Sequence, residues 1–295
     1  MSAVVPELEV VPRHPAIGTE VRGLNLGERL DDATFARLVE IWMRHPVLVF
    51  PQQAIGDEQQ IAFARRFGEL EIHPSVAHRS SRHPAIYRVA NVDEHGNILP
   101  RQGIAWQYLE LTWLWHTDSS FRPVPSKGSI LHGIEVPEQG GDTLFANMYA
   151  VWDALPAARQ RAIEGLRVLH SHDAVLSRSR ALSERADKGE YEDLPAVQHP
   201  LVRRHPVSGC RSLFLSPHTM SGIVGWPDDE AVALLDELTA FATREDFVYR
   251  HRWQRDDVLM WDNRCTMHAV MPYDAEHARR IMHRTTIVGD EAPCA

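Results

Sequence analysis

Apolar residues recur along this chain in two rhythms. From Asp31 to His45 they fall at Phe35, Leu38, Val39 and Met43, the spacing of one helical face. The unbroken run Pro46-Val-Leu-Val-Phe50 then reads as a buried strand. A second helix is predicted to start at Asp57 as N-cap, with Gln60 three residues on, and to run through Ile61, Phe63 and Phe67. Beyond Arg82 the pattern changes to short apolar stretches broken by Gly, Pro and Asp, and strands are predicted at 86–90, 128–136, 143–146, 167–171, 200–204, 212–215, 247–253, 258–262 and 280–288. Helices interrupt them at 149–154, 156–166 and 228–243; the last carries Ala231, Leu234, Leu235, Leu238, Phe241 and Ala242 on one face.

Many short strands with frequent turns predict a mainly β fold with flanking helices, a sandwich or jelly roll. No repeat, low-complexity block or composition shift divides the chain, so residues 1–295 are read as one domain. Ser171 to Gln198 is polar and aperiodic, which predicts a mobile loop over about 171–198, either a lid or a plain solvated excursion.

Composition narrows the function classes. A hydrophobic share of 44% supports a substantial core, and a net charge of -9 argues against a nucleic-acid partner held by a basic surface. No segment has the length or character of a membrane span or a secretory leader. Cys210, Cys265 and Cys294 are widely spaced with no CxxC pair, so the expected setting is a reducing cytoplasm.

Among 17 histidines, His116 stands out for its context. In His116-Thr117-Asp118 an imidazole and a carboxylate two residues apart would point the same way from an extended strand end. Trp113, Trp115 and Phe121 frame them with apolar surface, and Ser119-Ser120 with Pro123 and Pro125 ends the strand there. His268 follows the buried-looking strand Val258 to Asp262 and its polar turn, and could add a second imidazole. Two imidazoles and one carboxylate with open positions form the facial triad of non-haem Fe(II) oxygenases, although a zinc hydrolase draws on the same ligand types. Strand alternation puts Arg280, Met282 and Arg284 on one face and Ile281, His283 and Thr285 on the other. Two inward guanidiniums are costly to bury without anionic partners, and their planar forks suit carboxylates. Gly140-Gly141-Asp142-Thr143 allows a tight turn with a hydroxyl just inside the next strand. A zinc hydrolase would leave the pair Thr143 and Arg280 unexplained, and a non-catalytic jelly-roll binding protein would leave the ligand spacing unexplained.

Taken together, these segments resemble the Fe(II)/2-oxoglutarate-dependent taurine dioxygenase and 2,4-dichlorophenoxyacetate dioxygenase family. The resemblance runs through Val47 to Pro51, Gln59 to Gly68, Trp115 to Phe121, Gly140 to Thr143, Tyr249 to Trp253, Trp261 to His268 and Arg280 to Thr286, nearly the whole chain in order. It implies a double-stranded β-helix, with Fe(II), 2-oxoglutarate and dioxygen as cofactor and cosubstrates, and a homo-oligomer. It implies metal ligands at His116, Asp118 and His268, and a grip on the distal 2-oxoglutarate carboxylate by Thr143 and Arg280. Arg284 would meet the substrate's acid group or the metal-proximal carboxylate, with His73 and Ser119 also on the substrate side. A ten-residue gap after His268, usual in the family, lands on Arg279, whereas the run Arg-Ile-Met-His-Arg selects Arg280 with one residue inserted in Met271 to Ala278. Alternation groups Arg280 with Arg284, so Arg280 is preferred. Thr112 and Val76 replace an asparagine and a tyrosine that contact substrate in the taurine-type enzyme. Ser119 to Phe121 and Phe247 to Trp253 look closer to the aryloxyacetate side. The resemblance therefore implies a small organic anion: an aryloxyalkanoate first, then an alkyl sulfonate or sulfate, then another carboxylate.

Overall fold

The unbroken apolar runs become strands covered on both faces in the computed structural model, which describes residues 8–73, 78–184 and 194–295. Strands β1 (Glu9–Pro12) and β2 (Thr19–Arg22) precede helix α1 (Asp32–Arg44), strand β3 (Val47–Phe50), helix α2 (Asp57–Arg65) and strand β4 (Tyr87–Ala90). Helix α3 (Ile104–Leu111) leads to β5 (Gly128–Glu135) and β6 (Thr143–Asn147), then α4 (Met148–Ala154), α5 (Ala157–Ile163) and β7 (Arg167–His170). Short helices α6 (His172–Ser177) and α7 (Arg180–Ser183) come before β8 (Val197–Pro200), β9 (Val202–Arg204), β10 (Arg211–Leu213) and β11 (Met220–Ile223). Helix α8 (Asp228–Ala242) is followed by β12 (Val248–His251), β13 (Val258–Asp262), β14 (Thr266–Val270) and β15 (Ile281–Ile287).

The larger sheet has the order β1-β2-β3-β13-β5-β15-β4, and a second sheet has the order β12-β6-β14. Side-chain alternation explains why β3 and β13 read as solid apolar runs. Leu48, Phe50, Val258 and Met260 face out to Leu38, Ile41 and Trp42 of α1 and Phe63 of α2. Val47, Val49, Leu259 and Trp261 face in, where Met282 of β15 and Phe145 of β6 close the space between the sheets. The outer face of the smaller sheet, through Ala146 and Met267, packs on Val151 and Trp152 of α4 and Leu235 and Leu238 of α8. Two sheets, antiparallel except where β2 runs parallel to β3, over one apolar filling make the double-stranded β-helix.

Helix α1 begins as predicted, its Asp31 carboxylate accepting from the amides of Ala33 and Thr34. Helix α2 begins differently. Gly56 is the N-cap, and its amide donates to Gln59 Oε1 at 2.7 Å, because the carboxylate of Asp57 is drawn away to His283 Nδ1 at 2.6 Å. Gln60 is fully buried and donates to the carbonyls of Ile130 and His283, fastening α2 to the larger sheet.

The stretch expected as a loop over 171–198 is only partly one. Val175, Leu176 and Leu182 of α6 and α7 bury themselves against Leu111 of α3, and β8 starts at Val197; residues 185–193 lie outside the described residues. Strands β1, β2, β11 and β14 and helix α3 have no counterpart in the predicted pattern. Among the described residues no helix is long and apolar enough to cross a membrane.

One polar joint ties the two sheets together. The turn from β13 to β14 is held by Asp262, whose carboxylate takes Arg264 through Nε (2.8 Å) and Nη2 (2.6 Å) and His205 through Nε2 (3.1 Å). Burial alone would raise the Asp262 pKa, but the charge and hydrogen bonds of Arg264, with His205, hold it well below the usual carboxylate range. Replacing Asp262 by Ala strands a buried guanidinium and is expected to cost about 3–5 kcal/mol in urea unfolding at neutral pH. A depressed carboxylate stabilises the fold above its unfolded pKa, near 3.8, and ceases to do so as pH falls through its folded value. The gap between wild type and variant should therefore be full at pH 6 and narrow only below pH ~4.

Candidate active site

His116 reaches the site without belonging to a strand of its own. It forms an isolated antiparallel bridge with His268 of β14, each amide donating to the other's carbonyl at 2.9 and 2.8 Å. The imidazole centroids stand 4.1 Å apart. Thr117 turns the opposite way and donates its hydroxyl to the carbonyls of Leu215 and Thr266, so Asp118 returns to the side of His116. Asp118 Oδ1 lies 4.0 Å from His116 Nε2, and Oδ2 lies 3.9 Å from His268 Nε2. The alternation expected of His-Thr-Asp is thus realised at a loop edge.

Electrostatics prepares these groups as ligands. His116 Nδ1 donates to the Leu114 carbonyl at 2.8 Å, which leaves the Nε2 lone pair facing Asp118. Burial pushes the pKa values of both histidines down, that of His268 well below the ordinary value and with His116 adding to the effect. Burial would raise that of Asp118, but Arg284 and the two imidazoles outweigh it and keep the carboxylate ionised. Two neutral imidazoles and one carboxylate, all buried, can hold a divalent metal.

The carboxylate is aimed by Arg284 and by residues that spacing did not single out. Asp118 Oδ2 accepts from Ser129 Oγ at 2.6 Å and Oδ1 accepts from Arg284 Nη1 at 2.6 Å. Asn263 donates to Ser126 and Ser129, and its own carbonyl accepts from Trp261 Nε1. Ser129 starts a strand that reads as plain β, so no local pattern marks it. Phe145 stacks on His268 at 6.0 Å and Trp261 stands 4.8 Å from it, walling that ligand with aromatic surface.

The two predicted arginines separate by environment. Arg280 is 1% exposed, donates Nε to the Gly141 carbonyl at 3.0 Å, and approaches Thr143 Oγ1 at 3.5 Å. It has no salt-bridge partner among the described residues, since nearby Asp142 pairs with Arg250 at 2.5 Å. Burial lowers its pKa to about 10. Arg279 instead forms a half-exposed pair with Glu135, so it is Arg280 that meets Thr143. Thr143 Oγ1 also accepts from Trp253 Nε1 at 2.9 Å, which leaves its O–H free to donate. Arg284 lies over the Tyr87 ring at 4.7 Å, and its Nε is buried without a partner. The His73 ring stands 4.5 Å from Tyr87, on the same side of the site. Ser119, expected to meet substrate, donates its hydroxyl to Glu71 at 2.9 Å from a backbone with φ of 55°. Val76 lies outside the described residues.

A second buried group, His205, Asp262 and Cys265, also lies within metal-holding reach. Its donors and acceptors are already used: His205 Nδ1 accepts from two amides, and Asp262 is filled by Arg264 and His205.

A jelly roll with two imidazoles, one ionised carboxylate and a buried unpaired guanidinium defines a 2-oxoglutarate-dependent non-haem iron oxygenase. The chain matches the model of the taurine catabolism dioxygenase TauD, TfdA family over residues 9–286. It is 38% identical over 282 residues to the alpha-ketoglutarate-dependent 2,4-dichlorophenoxyacetate dioxygenase of Cupriavidus pinatubonensis, covering 95% of this chain and 97% of that one. It is 35% identical to the (S)-phenoxypropionate/alpha-ketoglutarate-dioxygenase of Sphingobium herbicidovorans, over 97% of both. The crystal structure of AAD-2 in complex with Mn(II) and N-oxalylglycine superposes with a TM-score of 0.87 at 36% identity, covering 97% of this chain and 99% of that one. The chain belongs to the TauD, TfdA family, and it is an oxidoreductase that uses Fe(II), 2-oxoglutarate and dioxygen.

The hydrogen bond from Ser129 to Asp118 should matter to metal affinity while leaving the fold intact. Ser129→Ala is expected to weaken Fe(II) binding about 10- to 100-fold in an anaerobic titration, with an unchanged circular dichroism spectrum.

Proposed function

We propose that His116, Asp118 and His268 hold Fe(II), that Thr143 and Arg280 hold the distal carboxylate of 2-oxoglutarate, and that Arg284 receives the acid group of an aryloxyalkanoate. The observation that carries this reading is the isolation of Arg280. A guanidinium buried without a carboxylate is a standing demand for an anion. Thr143 and Val270 are paired across β6 and β14, as are Phe145 and His268, so Thr143 lies two strand residues, roughly 7 Å, from the level of the metal ligand. That offset suits a five-carbon dicarboxylate with one end on the metal. The donor set of two neutral imidazoles and a carboxylate suits Fe(II), and family membership sets it apart from a zinc hydrolase.

When bound, Fe(II) and 2-oxoglutarate supply the oxidation: dioxygen is consumed, the 2-oxo acid yields succinate and carbon dioxide, and a substrate C–H becomes C–OH. The chain's own residues orient and exclude. Arg280 and Thr143 fix one end of the cosubstrate, so its 2-oxo acid end turns toward His268. Arg284 keeps Nη1 on Asp118 and has Nε left for a substrate carboxylate, within reach of the same metal ligands. Tyr87, stacked on Arg284, and His73 beside it offer ring surface to an aromatic substrate. The names of the two relatives, a dichlorophenoxyacetate and a phenoxypropionate enzyme, support the same class. Hydroxylation of the carbon that bears the ether oxygen gives a product that collapses to a phenol and a 2-oxo acid. Three free thiols suit a reducing cytoplasm.

A succinate-release screen across aryloxyacetates, aryloxypropionates, alkyl sulfonates and sulfate esters tests the substrate class. Phenol should appear with succinate for the aryloxyalkanoates; turnover confined to sulfonates or sulfates would sink that choice and leave the reaction class standing. His116→Ala, Asp118→Ala and His268→Ala should each abolish succinate formation and Fe(II) binding. Normal turnover by any one of them would remove that residue from the metal.

A further inference from the structure

Two buried polar groups beside Arg280 remain unused. Tyr273 Oη and Trp113 Nε1 are both shielded from solvent without a hydrogen-bonding partner among the described residues, and their rings stand 6.3 Å apart. A buried donor without an acceptor is rare in a native fold and calls for an explanation. The amide of Val270 donates to the Thr112 carbonyl and that of Met271 to the Asp142 carbonyl, so both aromatic residues are anchored close to β14 and the Gly140-Gly141 turn.

That turn places Tyr273 next to Arg280. Gly140 and Gly141 adopt φ of 73° and 68°; Gly140 is crowded by Pro272 and Tyr273, and Gly141 by Pro137 and Arg280. A Cβ on Gly140 would stand 3.0 Å from Cβ of Tyr273, and a Cβ on Gly141 would stand 3.1 Å from Cδ of Arg280. Their Cα atoms are about 3.8 Å apart, as for any consecutive residues. The base of the Tyr273 side chain and the Cδ–Nε stretch of Arg280 therefore lie against consecutive residues of one turn. Burial pushes the phenol up to about 12 while Arg280 pulls against it, so the hydroxyl is within electrostatic reach of the guanidinium and stays protonated as a donor.

A carboxylate offers about four lone-pair sites, more than Arg280 and the Thr143 hydroxyl fill. We propose that the Tyr273 hydroxyl donates a further hydrogen bond to the distal carboxylate of 2-oxoglutarate, completing a cradle with Arg280 and Thr143. The inference rests on the assignment of that pair to the cosubstrate. Tyr273 lies in the segment Met271 to Ala278, where the spacing between the last metal ligand and the cosubstrate arginine gains its extra residue. The lengthened segment thus carries a cosubstrate-binding side chain in addition to setting the register of β15.

The test is anaerobic titration of 2-oxoglutarate into the Fe(II)-loaded protein, followed by its weak visible charge-transfer band and by protection against thermal unfolding. Tyr273→Phe keeps the ring and removes only the hydroxyl. Its Kd for 2-oxoglutarate should rise about 10- to 100-fold, the scale of one hydrogen bond to a charged group. KM for 2-oxoglutarate should rise in step, with Fe(II) affinity and aryloxyalkanoate KM unchanged. An unchanged 2-oxoglutarate Kd in Tyr273→Phe, where Arg280→Ala abolishes binding, would overturn the Tyr273 bond alone. Unchanged binding in both variants would overturn the Arg280 assignment and this inference with it. A rise in substrate KM with no change for 2-oxoglutarate would move Tyr273 to the substrate side and also refute the proposal.

Discussion

Two backbone hydrogen bonds, from the His116 amide to the His268 carbonyl and back again, join a loop to a strand far away in the sequence. They bring the imidazole centroids to 4.1 Å from each other. The bridge then dictates its surroundings. Thr117 must turn away and is satisfied by two carbonyls, Asp118 must turn back, and Ser129, Ser126 and Asn263 must be present to aim its oxygens. The strand on the far side of the bridge, β14, is held at its start by the Asp262 turn, whose ion pair with Arg264 is buried. A displacement in that joint would be felt at His268 six residues later, which links stability to metal geometry through one short stretch of backbone.

Charge is distributed over this frame unequally. Arg284 is answered inside the protein by Asp118, so the pair is neutral as a unit and the carboxylate stays ionised in a dry site. Arg280 has no such answer among the described residues and is the more deeply buried of the two. On the proposed assignment, one arginine would serve the permanent charge of the ligand set, and the other would be balanced by a charge that arrives with the cosubstrate. Binding a dianion then relieves a cost already present in the free fold, a route to affinity that needs no rearrangement.

Legibility in the sequence followed the range of the interactions. Helix α1, strands β3 and β13, and the pairing of His116 with Asp118 were readable because a local period or a two-residue spacing encodes them. Strand β14 was not, although it bears His268, because its five residues, buried throughout, follow β13 after only the short turn at Asp262 to Cys265 and carry no turn signal of their own. The start of α2 was misread by one residue, because Asp57 is taken by His283 more than two hundred residues on, a contact that no local rule contains. Ser129 and Asn263 escaped for the same reason: each acts through a partner on another strand or turn. The choice of Arg280 over Arg279 did follow from alternation, since one sits at the Glu135 surface pair and the other beside Thr143.

Arg280 and the inner face of β15 show how the same alternation separates two guanidiniums. Arg280, Met282 and Arg284 succeed one another at intervals of two residues, roughly 7 Å each. Met282 is fully buried in the apolar filling between the sheets, so the two guanidiniums are divided by a hydrophobic spacer and not by water. A carboxylate at one end cannot easily slide to the other, because midway it would lose both cations and meet only hydrocarbon. Discrimination between cosubstrate and substrate then needs no difference in the kind of charge recognised. On the proposed assignment it would rest on position: a dianion spanning from Arg280 toward His268 would be read by length, and a monoanion beside Arg284 by the aromatic surface of Tyr87 and His73.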